Sequence, residues 1–401
     1  WYKLCLISRN NFTQLMMKIV LCIFTVLVAG CNLKEQKKAT PENLADFEIK
    51  IPDNLQTKRE LKLSAFADTV TYIALETTSD CLLSKIEDVK KKGDKLFIRS
   101  DKDEIFVFTE SGRFLNKAGK KGKGPNEYYS LIHYAINDSN VFILDYDRRL
   151  AVYKHAGEFE RYIKIPRQAS RILLLKNAGI AYYIPDSQFK LKDNNYNWLI
   201  TNYQGDSIGS IMTPKIRDRS DKKAYVSNHF VLTNFSCQHS FTFKEAFNDS
   251  LYFIDPVSLQ ARAYSRINQG VHRMDIEKTF EQAASSNHNM RINNITEIPG
   301  YVFISYKCMC YGNNITHHAV FDKREKLFYN LDDRNHEEHI ENDIDAGLNF
   351  RILAKIDENY LVGSVDAYRV AGNNHMNSSG LAVKETDNPV LVFVKVNNRR
   401  K

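Results

Sequence analysis

Several groupings of residues in this chain could do chemistry. Gly119, Gly122 and Gly124 alternate with Lys121 and Lys123 in the run 118–128, which Glu127 and Tyr128 close. Backbone N–H groups in such a loop can hold an anion, with the two lysines adding charge. The run lacks the spacing and the Lys-Ser/Thr ending of a P-loop, and no helical pattern follows it. A tight crossover that needs glycine and Pro125 for its geometry accounts for it equally, with Glu127 and Tyr128 bracing the next strand. Lys121, Lys123, Glu127 and Tyr128 are the candidate binding residues. His336-Glu337-Glu338-His339 differs from the His-Glu-x-x-His zinc pattern and has no clear third ligand, so a solvated loop is expected. His317 and His318 lie in a candidate strand and must point to opposite faces, so at most one can serve a site. Asp145, Asp147, Asp255 and Asp322 end or follow strands and could ring one face, although such aspartates more often cap turns. No Gly-x-Ser-x-Gly elbow and no glycosidase-like carboxylate pair is present. The sequence therefore assigns no catalytic residue, no metal site and no cofactor.

One further reactive residue is Cys31. Lys18 opens an apolar run from Ile19 to Ala29, and Gly30-Cys31 closes it. The run is too short to span a bilayer, which takes about 20 residues. A charged start, a short apolar middle and a small-residue exit have the order of a secretory signal. Val28-Ala29-Gly30-Cys31 resembles a bacterial lipobox, which implies lipid attachment to the Cys31 thiol and removal of residues 1–30. Residues 1–15 precede Met16-Met17 and read as an upstream extension of that signal.

The formal charge of +8 falls to +5 when Lys3, Arg9 and Lys18 are lost with the signal. A mildly basic, exported chain gives no reason to expect a nucleic-acid partner. Beyond Cys31 the cysteines are Cys81, Cys237, Cys308 and Cys310, too few in so long a chain for a disulfide framework. Cys308-Met309-Cys310 is too short for a zinc knuckle, and the four read as small buried hydrophobes.

The elements that must position these residues are short strands. Residues 31–60 are polar, carry Pro41 and Pro52, and read as a flexible tether from the lipid. The remainder, 61–401, reads as one domain of β-rich runs separated by Gly, Asn and Asp turns, with Asp275–Ala284 its best helix candidate. Phe97 and Phe142, Phe108 and Tyr153, and Gly112 and Gly157 each stand 45 positions apart. A repeat of this size holding four strands is one propeller blade. The repeated glycine falls in the hairpin between third and fourth strands, where positive φ is often needed, and the repeated aromatics should fill the gaps between blades. Units begin near 86, 131, 172, 228, 292 and 349, which makes an all-β, six-bladed propeller of four-stranded blades. The last unit is one strand short, and Val70–Leu75 is expected to complete it and close the ring.

Three passages resemble the six-bladed β-propeller (NHL-like) lipoproteins of Gram-negative bacteria. They are Val70–Thr78 with its Leu-Glu-Thr turn, the connector Ala118–Tyr128, and the closing strand that begins at Asn388-Pro389-Val390. Asn126 stands where the resemblance leads one to expect glycine. The resemblance implies an envelope location and ligand or partner binding, and it transfers no active-site residue. The expectation is a lipid-anchored outer-membrane protein, facing periplasm or exterior, that binds a ligand or an envelope protein. The alternatives are a propeller enzyme (a lactonase, lyase or carbohydrate-active enzyme) with its site at the central channel, or a scaffold in an outer-membrane complex.

Overall fold

The computed structural model describes residues 47–146, 148–165, 168–175, 179–184, 198–211, 231–237, 240–244, 249–255, 258–273, 290–308, 315–331, 340–373 and 381–397. Cys31, Asp147, Cys310, the helix candidate Asp275–Ala284 and His336–His339 lie outside them. Six four-stranded antiparallel blades form a ring. From channel to rim, blade 1 is Ile86–Lys92, Lys95–Ser100, Ile105–Thr109 and Phe114–Lys117. Blade 2 is His133–Ile136, Asn140–Asp145, Arg149–Lys154 and Phe159–Lys164. Blade 3 is Arg171–Leu175, Gly179–Tyr183, Trp198–Thr201 and Ser207–Ile211. Blade 4 is Val231–Cys237, Ser240–Lys244, Ser250–Ile254 and Ala261–Asn268. Blade 5 is Met290–Ile298, Tyr301–Cys308, Thr316–Asp322 and Leu327–Leu331. Blade 6 is Ala354–Lys355, Tyr360–Val365 and Val390–Val396, with Ala67–Ile73 as its outermost strand.

Side chains alternate along the strands, so blades 1, 2, 3 and 6 each feed two of the described cores. Phe97 and Val107 of blade 1 pack with Tyr134, Val141 and Tyr153 of blade 2. Their neighbours Leu96, Ile98, Phe106 and Phe108 pack the other way, against Val362, Leu391 and Phe393 of blade 6. Phe142 and Val152 of blade 2 meet Ile172 and Tyr182 of blade 3. Phe97 and Phe142 thus face the following blade, while Phe108 and Tyr153 face the preceding one. The repeated aromatics fill the inter-blade gaps, and the hydrophobic burial that stabilises the domain lies between blades.

The repeated glycines do more than turn a hairpin. Gly112, Gly157 and Gly205 have φ of +86°, +90° and +98°. A Cβ on Gly112 would lie 2.0 Å from the Ala74 carbonyl oxygen, and one on Gly157 would lie 2.4 Å from that of Lys117. Each hairpin therefore abuts the end of the preceding blade's outer strand. Glu76 N–H donates to Gly112 O at 2.8 Å across the first of these joints, and Asn116 Nδ2 donates to His155 O at 3.0 Å across the second.

Ring closure is tied by one buried amide. Ile73 pairs with Leu391 and Val70 with Val394, so the N-terminal strand runs antiparallel to the C-terminal one. Asn388, 1% exposed, donates from Nδ2 to Glu76 O at 2.7 Å and to Cys81 O at 2.8 Å. Its Oδ1 accepts from Leu83 N–H at 2.7 Å, and its own N–H donates to Thr77 Oγ1 at 2.8 Å. The Leu-Glu-Thr turn and the Asn-Pro-Val motif are thus the two halves of one clasp. Cys81 is buried and free within it, and its thiol donates to Glu76 O at 3.1 Å.

The reading of residues 31–60 as a tether does not hold from residue 47 onward. Glu48–Lys50 lies parallel beside Ala261–Asn268 on the rim of blade 4. Lys58–Arg59 does the same beside Leu327–Leu331 of blade 5, and Leu61–Lys62 pairs with Ile340–Glu341. Ile49, Ile51, Leu55 and Leu61 are all buried, which holds this belt to the ring. His272 Nε2 adds contacts to the carbonyls of Pro52 and Asp53, each at 3.1 Å. The domain therefore begins before residue 61.

Replacing Asn388 with alanine should lower stability by about 3 kcal/mol, because buried N–H and C=O groups on both sides of the clasp lose their partners. Urea unfolding of Asn388→Ala beside wild type measures this, and a difference below about 1 kcal/mol would show that the clasp is dispensable.

Candidate functional site

The connector between blades 1 and 2 is packed against itself. Gly119 has φ +85°, and a Cβ there would lie 2.8 Å from the Tyr153 ring. Gly122 and Gly124 serve close approach instead. A Cβ on Gly122 would stand 2.0 Å from Glu127 Oε2, and one on Gly124 3.0 Å from it. That carboxylate accepts from Gly124 N–H at 2.7 Å and pairs with Lys120 at 2.7 Å. The hydrogen bond from Lys120, then that from Gly124, holds Glu127 below the usual carboxylate range. Asn126 has φ +67°, which explains why glycine suits this place and why asparagine tolerates it.

The four residues read as binding candidates have the following places. Lys121 Nζ donates to Lys102 O at 2.7 Å and lies 3.9 Å from Asp103. Tyr128 is buried, and its hydroxyl donates to Asp103 O at 3.1 Å. Glu127 is engaged as described, and its carbonyl accepts from Tyr162 Oη at 2.8 Å and Arg149 at 3.2 Å. Lys123 stands over the ring of the exposed Tyr129, 5.5 Å from its centroid. Three of the four thus engage their polar atoms within the chain, although Lys121, like Lys123, is exposed.

The aspartates do not gather. Asp145, 1% exposed, accepts from the N–H groups of Tyr129, Ser130 and Tyr146 and from Arg149 Nε. Asp255 accepts from Ser258 N–H, and Asp322 from the N–H groups of Arg324 and Glu325. All three cap turns. His317 and His318 do diverge: His317 lies against the Tyr306 ring, and His318 lines a cavity of about 60 Å³ with Asn294, Thr296 and Arg351.

The ring brings together a different set. Strand direction puts the connections between blades, and those between second and third strands, at one end of the ring. Among the described residues these include the runs 74–85, 118–132, 340–353, 366–373 and 381–389. At the opposite end the described hairpins are short, as at 110–113, 155–158 and 202–206. The leading ends of the inner strands open on the elaborated end. His133 and Arg171 begin the inner strands of blades 2 and 3, and Arg291 is second in that of blade 5. Arg351 stands three residues before that of blade 6, and Lys85 just before that of blade 1.

Arg171 feels the charges of Arg99 and Asp88. Both belong to blade 1, so the charges of that blade reach Arg171 on blade 3. Burial first, and then Arg99, pulls the Arg171 guanidinium below its usual value. Lys90 pairs with Asp88 at 2.9 Å, and Arg99 with Asp103 at 2.5 Å. Arg99 also donates to Leu131 O at 3.1 Å, which ties the connector to the channel wall. Ile172 N–H donates to His133 Nδ1 at 3.4 Å, leaving Nε2 as the protonated nitrogen. Burial, then Lys90, Arg171 and Arg99, hold His133 well below 6.5. A second cavity, about 270 Å³, lies at the seam of blades 6 and 1, lined by Lys85, Arg351, Ser364, Asp366 and Arg369. Sequence reading missed this set because its members lie far apart in the chain. The repeat was the available signal, since it places each of them at the head of a unit.

The family model described as a domain of unknown function (DUF4934) matches residues 46–395, and the chain belongs to that family. No curated protein matches the chain. Among solved structures, it is similar to a crystal structure of a Bacteroides fragilis protein whose description proposes export. The identity is 16% and the TM-score 0.62, covering 88% of this chain and 100% of that one. The structure of U3-55K is 10% identical with a TM-score of 0.43, covering 81% of this chain and 98% of that chain. The first likeness is one of fold.

Two outcomes follow from this geometry. Gly119→Ala should lower stability by about 2 kcal/mol through strained backbone and a displaced Tyr153. The double change Lys121→Gln and Lys123→Gln should stay within about 0.5 kcal/mol of wild type, and urea unfolding of both variants reads the contrast. For His133, the unfolded chain takes up a proton as pH falls through 6.5, whereas the folded chain resists until lower pH. Its stabilising contribution is therefore full above pH 6.5 and declines below it. The melting temperature of wild type should fall more steeply than that of His133→Asn between about pH 7 and pH 5, and parallel curves would refute this.

Proposed function

We propose that this member of the DUF4934 family is an exported, lipid-anchored propeller that binds a ligand or protein partner through the elaborated end of its ring. The observation that carries the reading is the asymmetry of the connections. Among the described residues, the long connections 74–85, 118–132 and 340–353 lie at the end where the inner strands begin, and the hairpins at the opposite end are short. Recognition residues concentrate on long loops held by a rigid scaffold, and the mouth of a closed β-structure is a preferred ligand site. Arg99, His133 and Arg171 lie on blades 1, 2 and 3, and the cavity of about 270 Å³ lies at the seam of blades 6 and 1.

The address rests on Lys18–Cys31. Resemblance to a lipobox and to the NHL-like lipoproteins supports an outer-membrane anchor at Cys31, facing periplasm or exterior. The fold relative whose description proposes export is consistent with it. Asn32, which follows Cys31, is not the aspartate associated with retention at the inner membrane, which supports the same address by analogy.

Two measurements check the reading. Cys31→Ser should shift the protein from the membrane to the soluble fraction and end incorporation of labelled fatty acid; continued labelling would refute the anchor. A thermal-shift screen of small molecules should find a ligand that raises the melting temperature. That shift should vanish in Ser364→Leu, which fills the seam cavity, and persist in Glu158→Lys, on a hairpin at the other end. The reverse pattern would move binding to the trimmed end.

A further inference from the structure

The joint that closes the ring also builds a cavity. The space of about 270 Å³ at the seam of blades 6 and 1 is lined mainly by polar side chains, those of Ser84, Lys85, Arg351, Ser364, Asp366 and Arg369. Both of its walls are held in place by the fold. On the blade 1 side, Leu83 N–H donates to the clasp residue Asn388 at 2.7 Å, which sets Ser84 and Lys85 beside Pro389 at the cavity. Ser84 Oγ is fixed in turn by donating to the Asp101 carboxylate at 2.7 Å. On the blade 6 side, Gly363 lets the chain at residue 351 lie against the second strand, where a Cβ would stand 2.4 Å from Arg351 O. Phe350 exchanges backbone hydrogen bonds with Ile340, at 2.8 and 3.1 Å, and Leu353 N–H donates to Val362 O at 2.9 Å. Arg351 is thus pinned from both sides along the chain, next to Ser364.

Three of the lining groups are left without a protein partner. Among the described residues, the half-buried Arg351 guanidinium has no acceptor and no carboxylate within ion-pair distance, and the Ser364 hydroxyl has no hydrogen bond. Asp366 stands at the N-cap of the short helix Ala367–Ala371, yet its carboxylate makes no capping hydrogen bond. Ser364 and Asp366 are two positions apart in extended backbone, which puts them on one face. Lys85 differs from these three, since it pairs with Glu87 at 2.7 Å. A cation and a carboxylate that share a cavity without meeting are matched by a ligand that carries a complement to each. The planar fork of arginine receives the oxygens of an acid. A carboxylate and a serine oxygen accept from hydroxyl or ammonium donors.

Taking the elaborated end as the binding face, we propose that the seam cavity binds a small organic acid that also carries hydroxyl or amino donors. Arg351 receives its carboxylate, and Asp366 and Ser364 receive its donors. Sugar acids and amino acids share this chemistry.

Calorimetry on the full chain, solubilised and purified, tests this with glucuronate, serine, glucose and acetate. Glucuronate or serine should bind, and the one that does tells a sugar acid from an amino acid. Glucose lacks the acid and acetate lacks the donors, so each should bind about tenfold more weakly or not at all. Arg351→Gln and Asp366→Asn should each weaken binding of the active probe by about tenfold, the loss expected for one charge-assisted hydrogen bond. Arg351→Lys keeps the charge without the fork and should fall between wild type and Arg351→Gln. Arg113→Gln removes a charge from an exposed hairpin at the trimmed end and should leave binding unchanged. Melting curves of the unliganded variants separate lost binding from lost folding. Binding by neither acid, equal binding of glucose or acetate, or full affinity in Arg351→Gln or Asp366→Asn would overturn the proposal. If a screened compound then still loses its thermal shift in Ser364→Leu, the elaborated end stands as the binding face without this ligand class. If none does, both readings fall.

Discussion

A four-stranded sheet has two faces, and a blade standing alone can cover neither. In this molecule blades 1, 2, 3 and 6 each send side chains into two different inter-blade cores, as Phe97 and Leu96 do from adjacent positions on one strand. Each blade is therefore stable only between two neighbours. That condition can be met all round only if the circle closes, and closure depends on two distant segments meeting, Ala67–Ile73 against Val390–Val396. The Asn388 clasp supplies what strand pairing alone does not, a directional set of buried hydrogen bonds that specifies where the two ends meet. The channel, its mouth and the spacing of the arginines around it all follow from the ring being shut.

The joints between successive rims repeat the same logic on a smaller scale. A hairpin glycine lets the backbone of one blade touch the carbonyl end of the preceding one, at Gly112 with Ala74 and at Gly157 with Lys117. Glycine is needed twice over at these points, for its positive φ and for its missing Cβ. The connector after blade 1 is a third device of the kind. Its glycines make room for the Glu127 carboxylate, which in turn holds the loop shut with Lys120. Interpreted this way, the lysine-rich appearance of the loop comes from residues that brace an architectural turn, with Lys123 the exception.

How much of this the sequence discloses depends on how local the signal is. The offset shared by Phe97 and Phe142 is legible because blades 1 and 2 are nearly regular and carry glycine in the same hairpin. Blades 4 and 5 lose that marker. Their corresponding hairpins place Leu259 and Lys326 at positive φ, each +54°, so the same backbone shape is written with different residues. The missing strand of blade 6 could be inferred from its count alone. The belt over 48–62 could not, because its pairings run parallel, last two or three residues each, and are anchored by apolar residues with no period. The channel cluster lies beyond any local pattern. Arg99, His133 and Arg171 are neighbours only because three blades converge, and their isolation in the sequence hides the charge they build together.

The order of strands along the chain has a consequence for how the molecule is made. Synthesis proceeds from the N-terminus, so Ala67–Ile73 is finished long before its partner Val390–Val396 exists. Throughout that interval the nascent domain is an open arc. The face of blade 1 that the last blade will cover stays bare, and the early strand is an unpaired edge of the type that recruits other chains. Contacts between such distant residues also form slowly, because so much chain must be gathered before they are made. The belt deepens the delay, since Glu48–Lys50 and Lys58–Arg59 wait for blades 4 and 5 before they can dock. Ala67–Ile73 and the belt before it thus wait for partners made much later, and a chain cut short anywhere before residue 390 would lack the strand that closes the ring.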